Sequence, residues 1–210
     1  MNPSNPPTLE FDSAPHKLSG VVYGCLLNHA PALAALGDAV VVPADAAALQ
    51  LGAALGLVIG RTACRINEAD ALDHVAGAVI VNDLSVPHAS FYRPSVRFKA
   101  RDGFCPIGPK VVALADLPNS VDALTVRVYV DGALVQQTHT GDRIRSAARL
   151  LADVSEFMTL SPGDILMLGV SADAPLARAG QQVAIEIDGL GRLHNTLVAE
   201  AAPLTEESAR

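Results

Sequence analysis

The chain has 210 residues, half of them hydrophobic and 18% charged, which suits one domain with a sizeable core. A net charge of −7 and an aromatic content of only 4% exclude a basic nucleic-acid face and a base-stacking platform. The longest apolar runs, such as residues 53–60, fall far short of the roughly 20 residues that a membrane-spanning helix needs.

Residues 1–17 show no charged segment followed by an apolar one, so they do not read as a secretory signal. Their Pro, Ser and Asn content predicts a flexible tail, followed by one domain over residues 18–200 and a second tail over 201–210. The three cysteines, Cys25, Cys64 and Cys105, are odd in number and fit neither a zinc site nor a disulfide frame. Each reads as a small hydrophobe in a reducing cytoplasm.

Residues 21–27 are apolar and predict a strand, turned at Asn28-His29-Ala30-Pro31. Residues 32–36 suggest a short helix closed by Gly37, and residues 40–43 and 46–51 stay open between strand and loop. Residues 54–59 are continuously apolar, which predicts a buried strand ended by Gly60. Residues 67–75 predict a helix, with Asn67 as cap, Asp70 three residues on and Gly77 as the stop. Residues 78–82 return as a second buried strand with Asp83 at its end. A carboxylate at a strand end suits a ligand or catalytic group, or it caps the following turn.

Residues 124–138 alternate around Asp131-Gly132 and predict a hairpin. From Thr140 an amphipathic helix is expected, with Ile144, Ala147, Ala148, Leu151, Val154 and Met158 on its buried face. Residues 165–169, 183–187 and 193–198 complete the strands. Many short strands, a few helices and no regular strand–helix alternation imply an α+β fold that is mainly β.

One segment concentrates the positive charge. Five of the 15 basic residues, Arg93, Arg97, Lys99, Arg101 and Lys110, lie between residues 93 and 110, with Asp102 the one acid among them. In an acidic protein such a run suits a small anion, or it is a solvated loop.

Several stretches then appear in one order: LGLVIGRTACRINEADALDHVAGAVIVND, SFYRPSVRFKARDGFCPIGPKVV, LTVRVYVDGALVQQ, SEFMTLSPGDILMLG and VAIEIDGLGRLHNTLV. Over about residues 20–199 the chain resembles the fumarylacetoacetate hydrolase family. The FYRP…K.RDGFCPIG run resembles one branch, the bifunctional isomerase/decarboxylases of homoprotocatechuate (4-hydroxyphenylacetate) degradation, and within it the N-terminal half or a free-standing small subunit.

The resemblance implies a mixed β roll around Mg²⁺ or Mn²⁺, held by a Glu-x-Glu pair before the VIG strand and by an Asp in an Asn-Asp motif. Hard oxygen ligands suit such a metal, which polarises a 2-oxo-acid and stabilises its enolate. Carried onto this chain, Asp83 matches the metal-binding Asp and Lys99 the family lysine, which holds substrate charge or moves a proton. Arg93 and Arg101 match carboxylate clamps, with Tyr92 beside them, and His29 is an approximate substitute for the catalytic His.

The Glu-x-Glu positions, however, fall on Gly52 and Ala54. The arginine after the ligand Asp is replaced by Pro87, the Gly-Thr-Pro substrate loop reads Gly169-Val170-Ser171, and the segment between Asp38 and Leu51 is short for the family. Metal binding is therefore expected to be weak or absent.

Three functions follow from the resemblance. The first is a subunit acting on 5-oxopent-3-ene-1,2,5-tricarboxylate and 2-hydroxyhepta-2,4-diene-1,7-dioate, small anionic 2-oxo-acid chemistry. The second is a catalytically incompetent partner of a metal-bearing paralogous subunit. The third is an acylpyruvate-type C–C hydrolase, which needs an intact metal site and ranks last. A homodimer or a heteromer with the paralogue is implied, with no nucleic acid and no membrane.

Overall fold

The computed structural model describes residues 8–10, 15–17, 22–23, 33–34, 39–88, 96–108 and 110–201. In chain order the strands before the basic segment are β1 (Thr8–Glu10), β2 (Pro15–Lys17), β3 (Val22–Tyr23), β4 (Leu33–Ala34), β5 (Ala39–Val42), β6 (Leu49–Gln50), β7 (Ala53–Ile59) and β8 (Val75–Asn82). A short helix, α1 (Val96–Lys99), precedes β9 (Cys105–Pro106), β10 (Thr125–Val130) and β11 (Ala133–His139). The longer helix α2 (Ala147–Ser155) leads to β12 (Ile165–Met167), β13 (Leu176–Ala177), β14 (Gln182–Ile187) and β15 (Gly191–Ala199).

Strict alternation makes β10 a half-buried strand. Val126, Val128 and Val130 point inward, while Thr125, Arg127 and Tyr129 are half exposed. Asp131 and Gly132 both take positive φ, 49° and 82°, which matches the right-handed twist of the expected hairpin. This hairpin edges a five-stranded sheet of order β11-β10-β14-β15-β5. The continuously apolar β7 and β8 lie in a four-stranded sheet of order β3-β12-β7-β8.

The main core forms where Val126, Val128, Val183, Ile185 and Leu193 of the first sheet meet Leu55, Leu57, Ile59 and Ile80 of the second. Each such side chain contributes about 1.5–3 kcal/mol through burial. The opposite face of β7 and β8 carries a second apolar cluster, with Ala54, Val58, Val79 and Val81 against Cys105, Ile107, Ile165 and Met167. Both faces of β7 are thus covered, which explains its unbroken hydrophobic run. The architecture is α+β and mainly β, as expected. No helix among the described residues is long and apolar enough to cross a membrane.

Four local expectations are corrected. Leu33 and Ala34, expected in a helix, pair in parallel with Cys105 and Pro106. Residues Glu68–His74 form a 3₁₀ helix, and Asn67 makes no side-chain cap. Gly77 does not stop that helix but sits inside β8, where a Cβ would come within 2.5 Å of the Val112 carbonyl oxygen. There the Ala78 and Val112 amides each donate to the other's carbonyl, at 2.8 and 2.9 Å.

The fourth correction concerns Ile144, which is fully exposed rather than on a buried helix face. Thr140 is drawn back to the hairpin, its hydroxyl accepting from the Leu124 amide at 2.9 Å. A capping box between His139 and Asp142 closes a 3₁₀ turn there, and the true cap of α2 is Ser146, whose hydroxyl accepts from the Arg149 amide at 3.1 Å. Ile144 lies in the connection between them. Ala147, Leu151 and Val154 are buried as expected.

Candidate functional site

The register of β7 and β8 builds the site. Ala53 pairs with Asn82 and Ala54 with Val81, so Asp83 emerges beside Gly52. The Asp83 amide donates to the Gly52 carbonyl at 2.8 Å, and the Leu84 amide donates to the Phe104 carbonyl at 3.0 Å. These bonds fix the carboxylate's origin at the strand end.

The basic segment folds back over that end. The Val86 amide donates to the Phe98 carbonyl at 2.9 Å, and the His88 ring stacks on Phe98 with centroids 5.2 Å apart. The Arg97 guanidinium lies 4.7 Å from the centre of the same Phe98 ring. Lys99, the last residue of α1, is thereby carried to Asp83, and its ammonium forms an ion pair with Asp83 Oδ2. The two side chains remain 28% and 20% exposed, so the pair is screened by protein yet reachable from solvent.

Arg101 is not brought to Asp83. Its Nε donates to the Arg97 carbonyl at 2.8 Å, and its Nη1 lies 3.5 Å from Asp45, which is itself mostly exposed. His29, Tyr92 and Arg93 lie outside the described residues. Cys105, read from the sequence only as a small hydrophobe, is buried within electrostatic reach of the pair. Burial pushes its thiol up to about 12, the Asp83 carboxylate adds to the rise, and the Lys99 ammonium opposes it. A thiol held neutral in this way is no nucleophile at neutral pH. Phe104, Cys105 and Ile107 are all buried, and nothing local in the sequence signals which charged groups lie beside Cys105.

A separate cleft of about 540 Å³ opens at the N-terminal end of β7. Ala53, Leu55, His139 and Leu168 line it together with the loop Gly169-Val170-Ser171, whereas Asp83 and Lys99 do not. A buried polar contact also sits between the sheets, where the Asn82 side-chain amide nitrogen donates to the Asn195 carboxamide oxygen at 3.5 Å. It ties the end of β8 to β15, one residue before Asp83.

The donor set does not fit the divalent metal that the resemblance implies. Among the described residues no group of three or more His, Cys, Asp or Glu side chains comes together. Gly52 and Ala54 offer no side-chain oxygen, and Asp83, the one carboxylate at the site among the described residues, is engaged by Lys99. Mg²⁺ and Mn²⁺ take mainly oxygen ligands in octahedral arrays, and the described side chains present one carboxylate here.

Comparison with known proteins gives a consistent picture. The family model described as fumarylacetoacetate (FAA) hydrolase C-terminal matches residues 18–198. A homoprotocatechuate catabolism bifunctional isomerase/decarboxylase of Escherichia coli is 40% identical over 157 residues, covering 75% of this chain and 36% of that protein. The chain therefore spans about a third of the length of the curated relatives it matches first. Among solved structures, a 5-carboxymethyl-2-hydroxymuconate delta-isomerase from Mycobacterium smegmatis superposes with a TM-score of 0.71 at 28% identity, over 81% of this chain and 67% of that one. A maleylpyruvate hydrolase from Sphingobium sp. SYK-6, in complex with manganese(II) and pyruvate, gives 0.72 at 28% identity, over 82% and 63%.

Proposed function

Because the chain belongs to the fumarylacetoacetate hydrolase family, we propose that it is one half of a two-part decarboxylase/isomerase of the homoprotocatechuate type. It works beside a paralogous half that carries the metal. The observation that carries this reading is the Asp83–Lys99 pair standing where Gly52 and Ala54 replace the two remaining carboxylates. Likeness to the bifunctional isomerase/decarboxylase over about a third of its length supports the same reading.

The substrates proposed are 5-oxopent-3-ene-1,2,5-tricarboxylate and 2-hydroxyhepta-2,4-diene-1,7-dioate, handled at the interface with the metal-bearing half. Both carry several carboxylates and would otherwise meet a protein of net charge −7. The basic run from Arg93 to Lys110 offsets that charge locally. Within it Arg93 and Arg101 are the proposed carboxylate holders, with Tyr92 beside them. Lys99 is oriented by its ion pair with Asp83. His29 is the remaining candidate for proton transfer. The unit proposed to fold alone is residues 18–200.

The test mixes the purified chain with a paralogous subunit that carries the Glu-x-Glu pair. Decarboxylation of the tricarboxylate should rise with added chain and level off near equimolar mixing. A metal-bearing subunit that works equally well without this chain, or that fails to associate with it, would sink the proposal.

A further inference from the structure

The structure assigns Lys99 as the built-in cation of this site: its ammonium takes the place of a divalent metal on Asp83, and the chain holds Asp83 without one. The inference goes beyond the proposed pathway role and does not rest on it, since it concerns the charge balance of the site whatever reaction occurs there.

Three observations converge. First, Gly52 is packed directly on Asp83. A Cβ built at Gly52 would overlap the Asp83 carbonyl oxygen, and would lie 2.9 Å from its carbonyl carbon and 3.0 Å from its Cβ. Real Cβ atoms do not approach backbone so closely, so no ligating side chain fits at residue 52 without moving the strand. The bond from the Asp83 amide to the Gly52 carbonyl, at 2.8 Å, holds the two backbones at that separation.

Second, Ala54 opens on apolar side chains. It is 2% exposed and packs in the cluster that holds Val81, Cys105 and Met167. A hard cation at that position would be stripped of water and given no oxygen in return.

Third, the Asp83 carboxylate is already compensated. Lys99 pairs with Oδ2 while both side chains are more than two-thirds covered. A divalent ion would either displace the ammonium from Oδ2 or stand beside it as a second cation on one carboxylate, an arrangement that repulsion disfavours in a partly desolvated site. Lys99 cannot easily withdraw, because α1 is tied down through Phe98 by the Val86 amide and the His88 ring.

The experiment uses the full chain, freed of metal by chelation, and the variants Asp83→Asn, Lys99→Met and their combination. Mn²⁺ is titrated in and its bound fraction is read by electron paramagnetic resonance. Wild type and Asp83→Asn should give the same bound fraction. A site present in wild type and lost in Asp83→Asn would overturn the inference. Thermal melts supply the second readout. Each single variant should lower Tm by about 2–4 °C, and the double variant should fall well short of the sum, because the partner charge is removed with its counter-ion. Strictly additive losses would show that Lys99 is not the counter-ion of Asp83, and would equally overturn it.

Discussion

Replacing Gly52 by Ala places a methyl group on the backbone of Asp83. The nearest atoms are the carbonyl oxygen, the carbonyl carbon and the Cβ of Asp83, none of them the free end of a flexible side chain. The φ of Gly52 lies outside the left-handed region, so the cost is steric rather than conformational. Overpacking of this kind costs about 1–3 kcal/mol, and loss of the 2.8 Å bond from the Asp83 amide to the Gly52 carbonyl adds roughly 1 kcal/mol. For a chain of this size each kcal/mol lowers Tm by about 2–4 °C, so the expected fall is roughly 4–16 °C. Circular dichroism melts read it directly. Gly108→Ala is the control, since its Cβ would meet Ile80 only at 3.3 Å, where a small adjustment suffices. A Gly52→Ala protein that melts with wild type, or a Gly108→Ala protein that falls as far, would refute the close packing of Gly52 on the Asp83 backbone.

Three further outcomes are expected. Ile144→Asp should change stability by less than about 0.5 kcal/mol, because the side chain is fully exposed, whereas Leu151→Ala on the buried face of α2 should cost about 2–5 kcal/mol; urea melts separate them. The Arg127 guanidinium, 2.7 Å from Asp188, holds that carboxyl below the usual range, helped by the Thr125 amide. A carboxyl lowered on folding stabilises above its unfolded pKa of about 4 and loses that contribution as pH falls through the folded value. Asp188→Asn should therefore be less stable than wild type at neutral pH, and the difference should shrink below about pH 4. Finally, Cys64 is exposed and Cys105 buried, so Cys64→Ser should remove one thiol that reacts with Ellman's reagent in the native protein, and Cys105→Ser none.

Local pattern made the strongest elements legible. The unbroken apolar run before Gly60 and the alternation around Asp131-Gly132 became β7 and the β10–β11 hairpin, because periodicity and turn chemistry agree there. Where they disagreed, tertiary contacts decided. The apolar spacing from Ile144 to Met158 imitates one helix, but the hydrogen bonds of Thr140 to Leu124 pull its first turn into the hairpin. Leu33 and Ala34 gave no local sign of pairing with Cys105 and Pro106, which lie some 70 residues away. At the site, Asp83 and Lys99 are recognisable by resemblance, but nothing in their spacing reads as an ion pair between them. The contact of Gly52 with the Asp83 backbone is not legible either, since a glycine in sequence does not reveal what lies against its missing Cβ. Nor is the turn of Arg101 toward Asp45, which depends on where the β5–β6 connection runs.

The most direct measurement is a progress curve for the purified chain alone, given the tricarboxylate and a saturating excess of Mn²⁺. With Asp83 engaged by Lys99 and no partner carboxylates at Gly52 and Ala54, decarboxylation should not exceed the uncatalysed rate. Sustained turnover by the chain alone, abolished by a chelator and restored by Mn²⁺, would contradict the half-site that this structure presents.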